Sequence, residues 1–121
     1  MFFKNNSLVK IPYQDPNSSS SWHLYILRLK LDHLTGTRED IFNALLKENI
    51  GVNVHYIPVY LLPYYRGLGY TPGLCPKAEK LYEEFITLPL FPAMKEKDVR
   101  DVIDAVEKVL NQYRKFKEVI L

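Results

Sequence analysis

The chain has 121 residues, 47% hydrophobic and 25% charged, a balance that fits one ordinary domain with a real core and argues against disorder. Its 16 basic and 14 acidic residues give a net charge of +2 and are interspersed, so neither nucleic acid nor an anionic membrane is implied as a partner. A single cysteine, Cys75, excludes an internal disulfide, the apolar runs are too short to span a bilayer, and Met1-Phe2-Phe3 does not open a secretory signal; the cytoplasm is the expected compartment.

Residues 1–21 read as a lead-in or interdomain segment. Pro12, Pro16 and the polar run Asn17-Ser18-Ser19-Ser20-Ser21 punctuate it, and only Leu8, Val9, Ile11 and Tyr13 are there to bury. Trp22 to Leu29 follows as a strand apolar on both faces, suited to the middle of a sheet. Thr37, with acids at Glu39 and Asp40, opens a helix expected over 38–49, whose stripe is Ile41, Phe42, Leu45 and Leu46; Gly51 is placed to end it in a left-handed conformation.

A second strand is expected over 52–57 and is stopped by Pro58. From there to Gly73 prolines and glycines keep the chain in turns, with one short helical turn near 62–66. Cys75 is placed as the cap of a helix begun by Pro76, with Ala78, Leu81, Tyr82 and Phe85 on one face. A short third strand, 86–90, contains Pro89. The last helix starts at Lys95-Glu96-Lys97-Asp98, carries Val99, Val102, Ile103, Val106, Val109 and Leu110 at helical spacing, and gives way to a fraying tail at 112–121. The order implies an α+β domain: a three-stranded, mainly antiparallel sheet, the third strand inserted between the first two, with helices on one face and the other face left for another domain or subunit.

Little in the chain suggests self-contained chemistry. His23, His33, His55 and Cys75 lack metal-ligand spacing. His23 is expected as a hydrogen-bonded core histidine, His33 as a solvated turn residue, and His55 suits a site or a structural role equally. No GxSxG, no GxGxxG and no P-loop is present, and Glu83, Glu84, Glu96 and Asp98 are expected to face water. The informative stretch is Gly51 to Tyr70, a strand that ends at proline and delivers Tyr56, Tyr60, Tyr64, Tyr65 and Tyr70 to a loop. Tyrosine combines an apolar face with a hydrogen-bonding tip, so the stretch suits the wall of a binding site or a tyrosine-rich interface.

Trp22-His23-Leu24-Tyr25, His55-Tyr56-Ile57-Pro58 with Pro63-Tyr64-Tyr65, Pro76-Lys77-Ala78-Glu79 and Leu88-Pro89-Leu90-Phe91-Pro92, taken in this order, resemble the C-terminal part of the DegT/StrS family over about residues 10 to 111. Its members are PLP-dependent aminotransferases of keto-sugar nucleotides, including those of spore-coat and other surface polysaccharide synthesis. The resemblance implies a fold-type-I aminotransferase small domain at 22–111. It implies substrate contacts at His55, Tyr56 and Pro58, and further along the loop at Tyr60, Tyr64 and Tyr65; family members often carry histidine where this chain has Tyr60.

The family holds PLP through a lysine of a larger N-terminal domain, takes its amino group usually from glutamate, and works as a homodimer. No lysine here matches that one, so the resemblance implies no catalytic or cofactor-binding residue in this chain, no PLP bound to it alone, and a separate PLP domain as its partner. The alternative is a free-standing α+β module that binds a protein or small ligand through the tyrosine loop. An RNA-binding sheet would need basic aromatic motifs that the chain lacks.

Overall fold

A computed structural model describes residues 2–116. Three strands, β1 (Val9–Lys10), β2 (Tyr25–Leu29) and β3 (Phe85–Leu88), form one antiparallel sheet in the order β1-β2-β3. Four helices accompany them: α1 (Arg38–Lys47), α2 (Pro63–Gly67), α3 (Pro76–Glu84) and α4 (Glu96–Gln112). The result is the expected α+β fold with a three-stranded antiparallel sheet.

Period-two alternation divides the sheet between two environments. Leu27 and Leu29 of β2, Ile86 and Leu88 of β3 and Val9 of β1 are buried at 5% exposure or less. They meet Ile41 and Leu45 of α1 and Val102, Ile103, Val106, Val109 and Leu110 of α4 in a single core. Ile26, Arg28, Phe85 and Thr87 occupy the intervening positions, and the register pairs Ile26 with Thr87 and Arg28 with Phe85 on the opposite face.

Two of the three strands differ from expectation. Val9–Lys10, inside the segment expected as a lead-in, forms an edge strand on β2, and Phe3 and Leu8 join Val9 in the core. The strand expected over 52–57 is reduced to one bridge, Asn53 to Thr87. The Asn53 side-chain oxygen accepts the Val54 amide at 2.7 Å, a local bond that competes with a ladder, and Pro58 removes a further donor. What survives of the inserted topology is Thr87, which lies between Ile26 on one side and Asn53 on the other.

The first expected strand starts late, at Tyr25, and Trp22 ahead of it takes a positive φ of 50°. His23, expected as a core histidine, is exposed ahead of β2. α1 has the full capping box: Asp40 N–H donates to the Thr37 hydroxyl, and Thr37 N–H donates to the Asp40 carboxylate at 2.8 Å. Those bonds hold the Asp40 carboxyl below the usual aspartate range. Asn49, at φ 61°, takes the left-handed position after α1 in place of Gly51. Past α4, Arg114 bridges Leu34 and the Tyr113 carbonyl accepts the Thr35 amide at 2.7 Å, so the start of the expected fraying tail is docked; residues 117–121 lie outside the described residues.

Truncating Leu27, which is 1% exposed, is expected to be costly. Leu27→Ala should lower unfolding free energy by about 2–5 kcal/mol in urea titrations, while Tyr13→Ala at an exposed position should change it by less than about 0.5 kcal/mol. Equal effects would contradict the placement of the core.

Candidate functional site

Thr87 is a buried polar residue, 4% exposed, on a strand otherwise apolar, and such a group needs a partner. Its partners both come from the Asn53–His55 segment. Its amide and carbonyl exchange bonds with Asn53 at 2.8 and 3.1 Å, and its hydroxyl lies 2.9 Å from His55 Nδ1. A half-buried His55 is thus fixed against the face of the sheet opposite the core. Thr87 can donate or accept, and its contact leaves Nε2 as the ring nitrogen free to meet a ligand.

Tyr56 lies against His55 edge-to-face, ring centroids 4.6 Å apart, and is 72% exposed. The peptide joining the two residues is cis. Pro58 is half-buried and stands at the cap position of a one-turn 3-10 helix, Val59–Leu61.

Tyr60 belongs to a second, separate cluster. Its hydroxyl donates to the Glu79 carboxylate of α3 and accepts the Cys75 amide at 3.2 Å. Glu79 also accepts the Gly73 amide at 2.6 Å. One carboxylate and one phenol together tie the 70–75 loop to α3. Desolvation and the carboxylate beside it hold the Tyr60 phenol above the ordinary tyrosine range. Cys75 occupies the helix-cap position, but its side chain makes no capping bond; the Glu79 tie holds the loop at that end instead.

Tyr64 and Tyr65 sit on α2, started by Pro63 at its first turn, with rings 5.2 Å apart and nearly perpendicular; Tyr65 also packs edge-on with Tyr70 at 6.2 Å. The six residues expected at a site are therefore brought into three neighbouring groups along one loop rather than one closed pocket. The loop is strongly apolar and open: Tyr64 is 71% exposed, Val59 and Leu68 61% each, and Leu74 57%. An apolar cleft of about 210 Å³ lies elsewhere, among Phe3, Tyr25, Leu88, Met94 and Val102.

Two participants were not singled out from the sequence as site residues. Thr87 could have been, because a lone threonine between Ile86 and Leu88 must satisfy its hydroxyl. Glu84 was expected to face water, yet its side chain is only 12% exposed and is ion-paired with Arg28. The helical spacing of α3 does not reveal this, because Arg28 lies 56 residues away in sequence.

A PLP anchor would require a lysine amine held out of water. The stretch from Gly51 to Cys75 contains no lysine, and the described lysines are exposed apart from a half-buried Lys30. The residues at this site do not fit the cofactor's covalent anchor. Among the described residues, no group of three or more histidines, cysteines or carboxylates could hold a metal ion, and no helix is long and apolar enough to cross a membrane.

The Glu79 tie makes a direct prediction. Tyr60→Phe removes the hydroxyl from both of its partners and should raise amide exchange at Gly73 and Cys75 about tenfold at neutral pH, with core amides of α4 unchanged. Unchanged exchange at those two positions would show that the loop is held by other contacts.

Comparison with known proteins places these features in a family. Residues 3–107 match the model of the DegT/DnrJ/EryC1/StrS aminotransferase family. An uncharacterised protein of Methanocaldococcus jannaschii is 40% identical over 113 residues, which cover 93% of this chain and 29% of that protein. The spore coat polysaccharide biosynthesis protein SpsC of Bacillus subtilis is 39% identical over 101 residues, 82% of this chain and 26% of SpsC. Among solved structures, the PMP form of the putative sugar aminotransferase Spr1654 of Streptococcus pneumoniae superposes with a TM-score of 0.80 at 32% identity, covering 89% of this chain and 27% of that one. The chain thus spans less than a third of the length of each relative. It belongs to the DegT/DnrJ/EryC1/StrS aminotransferase family.

Proposed function

We propose that this chain forms the small, C-terminal domain of a PLP-dependent aminotransferase that transfers an amino group, from glutamate, to a keto-sugar nucleotide in surface polysaccharide synthesis. The family assignment supports aminotransfer, and the names of SpsC and of the pneumococcal sugar aminotransferase support sugar chemistry and a surface polymer. The observation that carries the reading is the His55–Thr87 contact beside exposed Tyr56. A hydroxyl-rich sugar ring suits such a pair, because tyrosine offers an apolar face to the ring and histidine a positioned donor or acceptor to its hydroxyls.

In this reading His55 and Tyr56 contact the sugar, Pro58 sets the direction of the chain beyond them, and Tyr64 and Tyr65 complete the wall. Tyr60 acts by holding the loop through Glu79. PLP, when bound in the complete enzyme, supplies the electron sink for amino transfer, and its lysine belongs to the part of the family's length that this chain does not span. The exposed apolar side chains of the tyrosine loop are the surface that meets that part and the second subunit of a homodimer in the cytoplasm. The chain by itself is inactive.

Mixing the chain with PLP and glutamate tests this directly. No internal-aldimine absorbance band near the visible edge and no consumption of glutamate are expected. A stable band accompanied by turnover would overturn the assignment of the cofactor site to another domain.

A further inference from the structure

A second polar feature occupies the same face of the sheet as His55. In the antiparallel register Lys10 of β1 lies directly opposite Arg28 of β2, and Lys30, two residues beyond Arg28, continues on that side. Lys80 of α3 closes the group, so that Lys10, Arg28, Lys30 and Lys80 bound an open cleft of about 460 Å³. Two carboxylates, Glu84 and Asp32, share the cleft with these four cations.

Like charges directly across a sheet oppose pairing. Glu84 answers for one of them: its mostly buried carboxylate is ion-paired with Arg28. Asp32 is 81% exposed and lies 3.5 Å from His33, away from the lysines' ion pairing. Among the described residues no ion pair engages Lys10, Lys30 or Lys80. The sheet register therefore assembles cations around a single buried counter-charge and leaves an excess facing the cleft. A solvated lysine fringe would not need Lys10 opposite Arg28, nor a desolvated Glu84 to orient the guanidinium.

We propose that this cleft binds the phosphate groups of a phosphorylated ligand. The site's position names the ligand class, and that step rests on the sugar-nucleotide reading above. Arg28 is paired with Phe85, two residues along β3 from Thr87 and its His55, a spacing of about 7 Å along one face. A sugar at His55 and Tyr56 would carry its diphosphate toward Arg28, Lys30 and Lys80, with Glu84 holding the Arg28 guanidinium in place. Arginine and lysine are the side chains that recognise phosphate oxygens, by fork geometry and by charge respectively.

Titration of the isotope-labelled chain with inorganic pyrophosphate at low salt, followed by amide NMR, tests the site. The expected result is a saturable response confined to residues around Lys10, Arg28, Lys30 and Lys80, weakening steeply as salt is added. The double variant Lys10→Ala, Lys30→Ala should reduce affinity about tenfold or more, and Lys80→Ala, on an exposed helical position that tolerates alanine, should reduce it severalfold without altering the fold. Responses spread equally over Lys47, Lys97 and Lys108, or unchanged affinity in both variants, would overturn the site. A parallel titration with UDP-glucose separates the two readings. Pyrophosphate binding at the cluster with no response to UDP-glucose upholds the anion site and counts against the sugar reading; shifts at His55 and Tyr56 with the cluster silent overturn the anion site and leave the sugar reading standing.

Discussion

The antiparallel pairing of β2 with β3 is the constraint on which the rest of the structure depends. A register that sets Ile26 against Thr87 and Leu27 against Ile86 sends one set of residues into the core and the other set to the opposite face. A slip of one residue would expose Leu27 and Ile86 and bury Arg28. Burial of five or so large aliphatic side chains, each contributing about 1.5–3 kcal/mol, enforces the register. Polar groups on the far face are then held in fixed positions without any stabilising role of their own being required.

Those polar groups are what the fold delivers. Thr87 pairs with Ile26 in the ladder, exchanges both of its backbone hydrogen bonds with Asn53 on its other side, and turns its hydroxyl to His55. Arg28, one position from the buried Leu27 and Leu29, is oriented by Glu84 from α3. The loop between Asn53 and α3 is anchored at one end by the Asn53 bridge and at the other by Glu79, and Tyr56, Tyr64 and Tyr70 are left exposed between these two anchors. Exposed tyrosines and leucines in that density characterise surfaces that meet something else.

Much of this was legible in the sequence. The helical stripes of α1 and α4 and the capping box at Thr37 are local patterns, and local patterns survive folding. The strand over 52–57 was misleading because β-branched residues signal extended backbone, whereas a strand also needs a partner of matching length; β3 ends at Leu88, and Asn53 satisfies its own neighbour. β1 was hidden for the converse reason, since two residues among prolines and serines carry no periodicity. His55, Tyr56 and the tyrosine loop stood out by composition. Their partners Thr87 and Glu79, and the Arg28–Glu84 pair, depend on contacts across 19 to 56 residues of sequence that no spacing rule reports.

The central claim is that the tyrosine loop and the far face of the sheet are half of a site completed by the rest of a family enzyme. Hydrogen–deuterium exchange, measured for this chain alone and within the complete aminotransferase, addresses it most directly. The account predicts strong new protection across residues 55–75 in the complete enzyme, with the already slow core of α4 unchanged. Exchange in that loop that is equally fast in both would contradict it.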